Sequence, residues 1–211
     1  MTTTLQLPRE TRAVEVRAGS FDEAANTIEI VWTTGAEVRR YDYRSSTPYV
    51  EVLDLSPGAV RLDRLNAGAP FLNTHSSYDL SQVLGSVVPG SAKIEGARGL
   101  ATILLSRAAG DADIVGKIRD GVIRNVSAGY IRHKIEKTEG DDGGDAVWRV
   151  VDWEPCEISA VPIPADPGAQ TRAEPEVALF PCLVSMPARR ALAEGARARL
   201  RMNARRLGLA V

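Results

Sequence analysis

Alternation of apolar and polar residues through the first two thirds of the chain restricts it to a fold built on strands. "TIEIVWTT" (27–34), "EVRRYDYR" (37–44), "QVLGSVV" (82–88), "GLATILLS" (99–106) and "RNVSAGYI" (124–131) have the length, β-branched content and period of strands. Turn chemistry separates them at "TTGAE", "LNAGAP" and "VPGSA". Gly35 between the first two runs predicts a hairpin over 27–44. One short helix is expected over 111–121, with Ile114, Val115 and Ile118 on one face, an aspartate at its start and Gly121 to end it. The charged, glycine-rich "KTEGDDGGDA" (137–146) reads as a hairpin tip that makes "RNVSAGYIRHKIEK" and "VWRVVDWEPCEISAVPIPA" antiparallel neighbours.

The character changes past residue 162. Five prolines between 162 and 181 and few strand formers predict a linker. Beyond it Leu192, Ala196, Leu200, Asn203 or Ala204, and Leu207 fall at helical spacing among arginines. Seven arginines against Glu194 give this tail +6, so the preceding 186 residues carry −7 within a total of −1. The expected division is a β domain over 1–165, a proline-rich linker over 166–187 and a basic helical tail over 188–211. Hydrophobic residues make up 44%, enough for a core, and no apolar run approaches membrane-span length. The N-terminus lacks a secretory pattern, and Cys156 and Cys182, far apart, are expected as free thiols.

Three residues stand where chemistry is possible. His75 follows a strand-like "PFL" and opens a polar loop, "NTHSSYD", a position from which a rigid element can aim a base. Ser127 lies mid-strand, outside any G-x-S-x-G turn, and shares a face with Asn125 and Gly129, so there is space above it. Glu157, beside Cys156 and Ile158, is not where a solvated carboxylate is expected and requires a partner such as His75. Each alone is ordinary, since loop histidines and strand serines are common. Together they supply the nucleophile, base and orienting acid of a serine hydrolase. His133 shares the strand with Ser127 but lies about 20 Å along it.

"FLNTHSSYDLSQVLGSVV", "VIRNVSAGY" and "WEPCEISAVPIPADPGA", in this order, resemble the signature blocks of the tailed-phage (caudovirus) prohead serine protease family, related in fold to the herpesvirus assembly proteases. Ala128 stands where that family more often has isoleucine, and the acid after the histidine is delayed to Asp79. The resemblance implies a small antiparallel β-barrel ringed by helices, mostly β with flanking helices. It implies His75 as general base, Ser127 as nucleophile and Glu157 as orienting acid, with Asp79 as its rival. The backbone around Ala128–Gly129, or Arg124 or Arg132, would serve as oxyanion donors.

The implied activity is that of a serine endopeptidase of capsid maturation. It would cleave scaffold, coat-protein extensions and itself inside the assembling procapsid, in the cytoplasm of the bacterial host. No metal or cofactor is called for, and no membrane. Scaffold and major capsid protein are the expected partners, with self-association a further one. The basic tail would dock on them or contact nucleic acid. A non-enzymatic assembly module on the same fold is the main competing reading, and a small-ester hydrolase the second. Autocleavage in the 163–188 linker is expected. Intact mass then distinguishes wild type from Ser127→Ala, and a linker that stays whole in active enzyme contradicts it.

Overall fold

A computed structural model describes residues 2–15, 20–140, 144–162 and 179–186. Its strands are β1 (Thr2–Pro8), β2 (Glu10–Glu15), β3 (Thr27–Thr33), β4 (Val38–Asp42), β5 (Thr47–Leu53), β6 (Pro70–Asn73), β7 (Val83–Val87), β8 (Lys93–Glu95), β9 (Arg98–Leu105), β10 (Asn125–Thr138), β11 (Ala146–Ala160) and β12 (Leu179–Ser185). Among the described residues the helices are α1 (Asp63–Asn66), α2 (Ala112–Arg119) and two 3-10 turns, Leu80–Gln82 and Ala109–Asp111. Val115 and Ile118 are the buried face of α2, as the spacing in the sequence predicts. Among the described residues no helix is long and apolar enough to cross a membrane.

The spine is the antiparallel pair of β10 and β11, the two longest strands. Each is flanked along its outer edge by two shorter strands. On β10, β2 pairs antiparallel with residues 125–130 and β12 parallel with residues 134–136. On β11, β6 pairs parallel with residues 158–160 and β5 parallel with residues 146–150. One half of the spine thus carries the consecutive strands β2, β10, β11 and β6, with β7, β9 and β3 following. A bulge interrupts this half, because Gly129 faces Glu157 and Tyr130 faces Pro155, leaving Cys156 as the extra residue. Proline, which has no N–H for the ladder, is tolerated at such a place, and bulges re-aim neighbouring side chains.

Three expectations need correction. Strand content is as read, but the sheet is open and mixed, not a closed antiparallel barrel. The 27–44 hairpin does not form, since β3 pairs with β9 and β4 with β5. Apolar alternation marks both segments as strands, yet pairing is decided by which faces must be buried together. The expected linker contains β12, whose Cys182 and Val184 are buried while β1 and β10 supply its ladders. Its prolines masked that alternation. The rest of the expected linker, 166–178 with Pro187, and the expected tail over 188–211 lie outside the described residues.

Two interactions fix the face of β10 that bears Tyr130. Tyr130 and Trp32 both meet Trp153 edge-on, with ring centroids 5.5 and 5.9 Å away. Beside them lies a buried ionic cluster. Arg40 donates to Glu51 Oε1 (2.8 Å), Glu10 Oε2 (2.8 Å), the Thr11 carbonyl (2.7 Å) and Tyr130 Oη (3.0 Å). Arg132 donates to Glu51 Oε2 (3.0 Å), Glu10 Oε1 (2.8 Å) and Tyr49 Oη (3.3 Å). Tyr130 donates its hydroxyl proton to Glu51. Burial, reinforced by Glu51, pushes the Tyr49 phenol up to about 12, which keeps it neutral. The cluster ties β2, β4, β5 and β10 together through the fully buried Glu51.

Removing that carboxylate leaves two buried guanidiniums short of countercharge. Glu51→Leu is expected to lower the unfolding free energy by roughly 3–5 kcal/mol in urea titration. A loss below about 1 kcal/mol would show that Glu10 alone neutralises the arginines.

Candidate active site

The site is assembled on the spine half bounded by β2 and β6. Side chains two apart on a strand share a face, and directly paired residues stand side by side. The register pairs Ser127 with Ser159 and Gly129 with Glu157. These four therefore form one rectangle on one face of the sheet. An added Cβ at position 129 would collide with Glu157 Oε1. Glycine is thus required there by the space the carboxylate occupies.

His75 reaches this rectangle from β6. That strand runs parallel to β11, pairing Asn73 with Ala160, and the Thr74 amide still donates to the Ala160 carbonyl (3.0 Å). Thr74 and His75 then take left-handed backbone, φ 50° and 62°. Such geometry costs a non-glycine residue on the order of 1–3 kcal/mol. It turns the chain back over β11, and His75 Nδ1 lies 2.7 Å from Glu157 Oε1. Glu157 is 2% exposed and the His75 side chain 24%. A carboxylate has only acceptors, so Nδ1 carries a proton in this contact, and in the neutral imidazole Nε2 is the nitrogen that keeps its lone pair. Ser159 completes the arrangement. Its hydroxyl donates to Glu157 Oε2 (2.7 Å) and accepts from the His75 amide (3.1 Å).

Ser127 is 1% exposed, and among the described residues its hydroxyl has no hydrogen-bond partner. The Ser127–His75 hydrogen bond that acyl chemistry needs is therefore not formed in this structure. Arg9, between β1 and β2, brings Nη2 to 3.9 Å from Glu157 Oε1 and is about one-third exposed. Cys156 is no rival nucleophile, because burial raises its thiol above the ordinary range. Among the described residues no three His, Cys, Asp or Glu side chains are grouped so as to hold a metal ion.

Of the residues singled out in the sequence, the fold brings His75, Ser127 and Glu157 to one face, with His75 and Glu157 in contact. Asp79 lies elsewhere. It is exposed and accepts from the Ser81 amide (2.8 Å), which holds its carboxyl below the usual range. Arg132 is committed to the ionic cluster described above. Arg124 is exposed before the strand begins. Ala128 and Gly129 have ladders on both sides, to β2 and β11, so their amides are not spare oxyanion donors. His133 lies 3.5 Å from Glu154, away from Ser127. Ser159 and Arg9 were not singled out. The i, i+2 spacing in "EIS" placed Ser159 on the face of Glu157 and was the signal available. Arg9 left none, since its approach depends on β2 pairing with β10.

Comparison with known proteins covers this region. The family model for the caudovirus prohead serine protease matches residues 43–179. A 120-residue stretch is 36% identical to the major capsid protein of Halomonas phage phiHAP-1, taking in 56% of this chain and 19% of that protein. The chain thus spans about a fifth of that relative's length. No solved structure matches significantly. The family match includes β5 through β11 and with them the His75 turn, Ser127 and Glu157, and the chain belongs to the caudovirus prohead serine protease family.

Proposed function

We propose that this chain is a serine endopeptidase of phage capsid maturation, acting by acyl transfer on coat-protein or scaffold segments. The observation that carries the reading is the 2.7 Å contact of His75 with the buried Glu157 on the face that bears Ser127. Residues 82 apart in sequence are held together there by a strained turn. His75 Nε2 takes the proton of Ser127 as Oγ attacks the scissile carbonyl, and Glu157 stabilises the imidazolium that results. The proton passes to the leaving amine, the C–N bond breaks, and water then releases the acyl group from Ser127 with His75 again as base. Because the Ser127 hydroxyl has no hydrogen bond to lose, its rotation toward Nε2 breaks none. It is covered, however, so the site must open before a substrate carbonyl reaches it.

The relative suggests the substrate. A sequence like this one within a protein called a major capsid protein would place protease and coat in one polypeptide, favouring coat-protein extensions as targets. The second reading, a non-enzymatic assembly module, is favoured by the covered, unbonded state of Ser127.

Co-expression with the coat protein and scaffold of the same phage separates the two. Ser127→Ala and His75→Ala are each expected to lower the rate of coat or scaffold cleavage, followed by mass spectrometry, at least roughly 10³-fold. Gly129→Ala displaces Glu157 and is expected to lower it roughly 10- to 100-fold. Unaltered cleavage by Ser127→Ala would overturn the assignment, and unaltered cleavage by Gly129→Ala would remove Glu157 from it.

A further inference from the structure

Ser159 holds a place that the reaction described above does not use. Its side chain is fully buried, two residues from Glu157 on the same face of β11 and directly opposite Ser127 on β10. It makes two hydrogen bonds, and their directions are dictated. The Glu157 carboxylate can only accept, so the single hydroxyl proton goes to Oε2 at 2.7 Å. A lone pair then remains for the His75 N–H, 3.1 Å away. Ser159 is thereby excluded as a nucleophile. Its proton is committed to the acid, and its bond to His75 is to the main chain.

We infer that Ser159 is a positioning residue that sets acid and base against each other. This role rests on the proposed catalytic roles of His75, Ser127 and Glu157. Glu157 has two oxygens to place. Ser159 fixes Oε2, and that leaves Oε1 aimed at His75 Nδ1. The same hydroxyl anchors the His75 amide in a left-handed turn of two non-glycine residues. Such a backbone persists only where its surroundings over-determine it. One oxygen atom thus couples the rotation of the carboxylate to the position of the imidazole. The pairing with Ser127 brings this coupling beside the nucleophile. Misplacement of a reacting group by about 1 Å costs on the order of 10²-fold in rate, so the hydroxyl acts on the chemical step more than on binding.

Ser159→Thr and Ser159→Val test this, because they have the same shape and differ by a hydroxyl against a methyl. Both are β-branched and suited to a strand. The full chain is labelled with a fluorophosphonate, in which Ser127 Oγ bonds to phosphorus, fluoride leaves and the serine proton passes to His75. Maximal labelling rate and half-saturating probe concentration are measured separately, alongside Ser127→Ala and melting curves.

The Val variant is expected to label roughly 10- to 100-fold more slowly than Thr at saturation, with half-saturation altered by less than about twofold. Equal maximal rates for Thr and Val would overturn the inference, as would a difference confined to half-saturation. Undiminished labelling of Ser127→Ala would instead remove the catalytic reading on which it rests, and the inference with it.

Discussion

The antiparallel register of β10 against β11 decides where every part of the site can lie. With Gly129 opposite Glu157 and Ser127 opposite Ser159, four side-chain positions on one face are fixed before any loop is considered. A shift of one residue would send Ser127 and Glu157 to opposite faces. The bulge at Cys156 falls immediately beside the Gly129–Glu157 pair. It confines the change of register to the far side, where Tyr130 enters the ionic cluster. β6 extends the same frame, since its parallel pairing with residues 158–160 of β11 ends just before His75 must turn.

The two faces of β10 carry different electrostatics. One bears Tyr130 and Arg132, held with Arg40 between Glu51 and Glu10 in a cluster that joins four strands. The other bears the narrow set of Glu157, His75, Ser159 and the nearby Arg9. Charges in the first are balanced and enclosed, which suits them to holding strands in place. In the second the imidazole is partly exposed and the guanidinium more so, so both can meet an incoming chain. Arg9 precedes the matched family region and stands just before β2, whose place beside β10 brings this residue to the site.

Local pattern made the strands and α2 legible, because each must bury one face. Partner choice was less so. β3 and β9 lie some seventy residues apart and are joined through long-range burial, which adjacency in sequence misassigned to a hairpin. Closure into a barrel is likewise a property of non-local ladders, and no local pattern carries it. β12 was hidden because prolines dominate its surroundings, although "LFPCLVS" alternates. At the site, His75 and Glu157 were legible because their contexts were unusual: a histidine opening a polar loop and a carboxylate among apolar residues. Asp79 was nearer to His75 in sequence, but it caps its own turn. Ser159 was overlooked because a serine in a strand is commonplace, and only the backbone strain at His75 shows what its hydroxyl holds.

In the proposed reaction Ser127, and no other serine, is the nucleophile. Peptide mapping of the fluorophosphonate adduct by mass spectrometry tests it most directly. One adduct is expected, on the peptide containing Ser127, and it disappears when His75 is replaced. An adduct on Ser159 or on another serine, or cleavage activity that survives with Ser127 unlabelled, would contradict it.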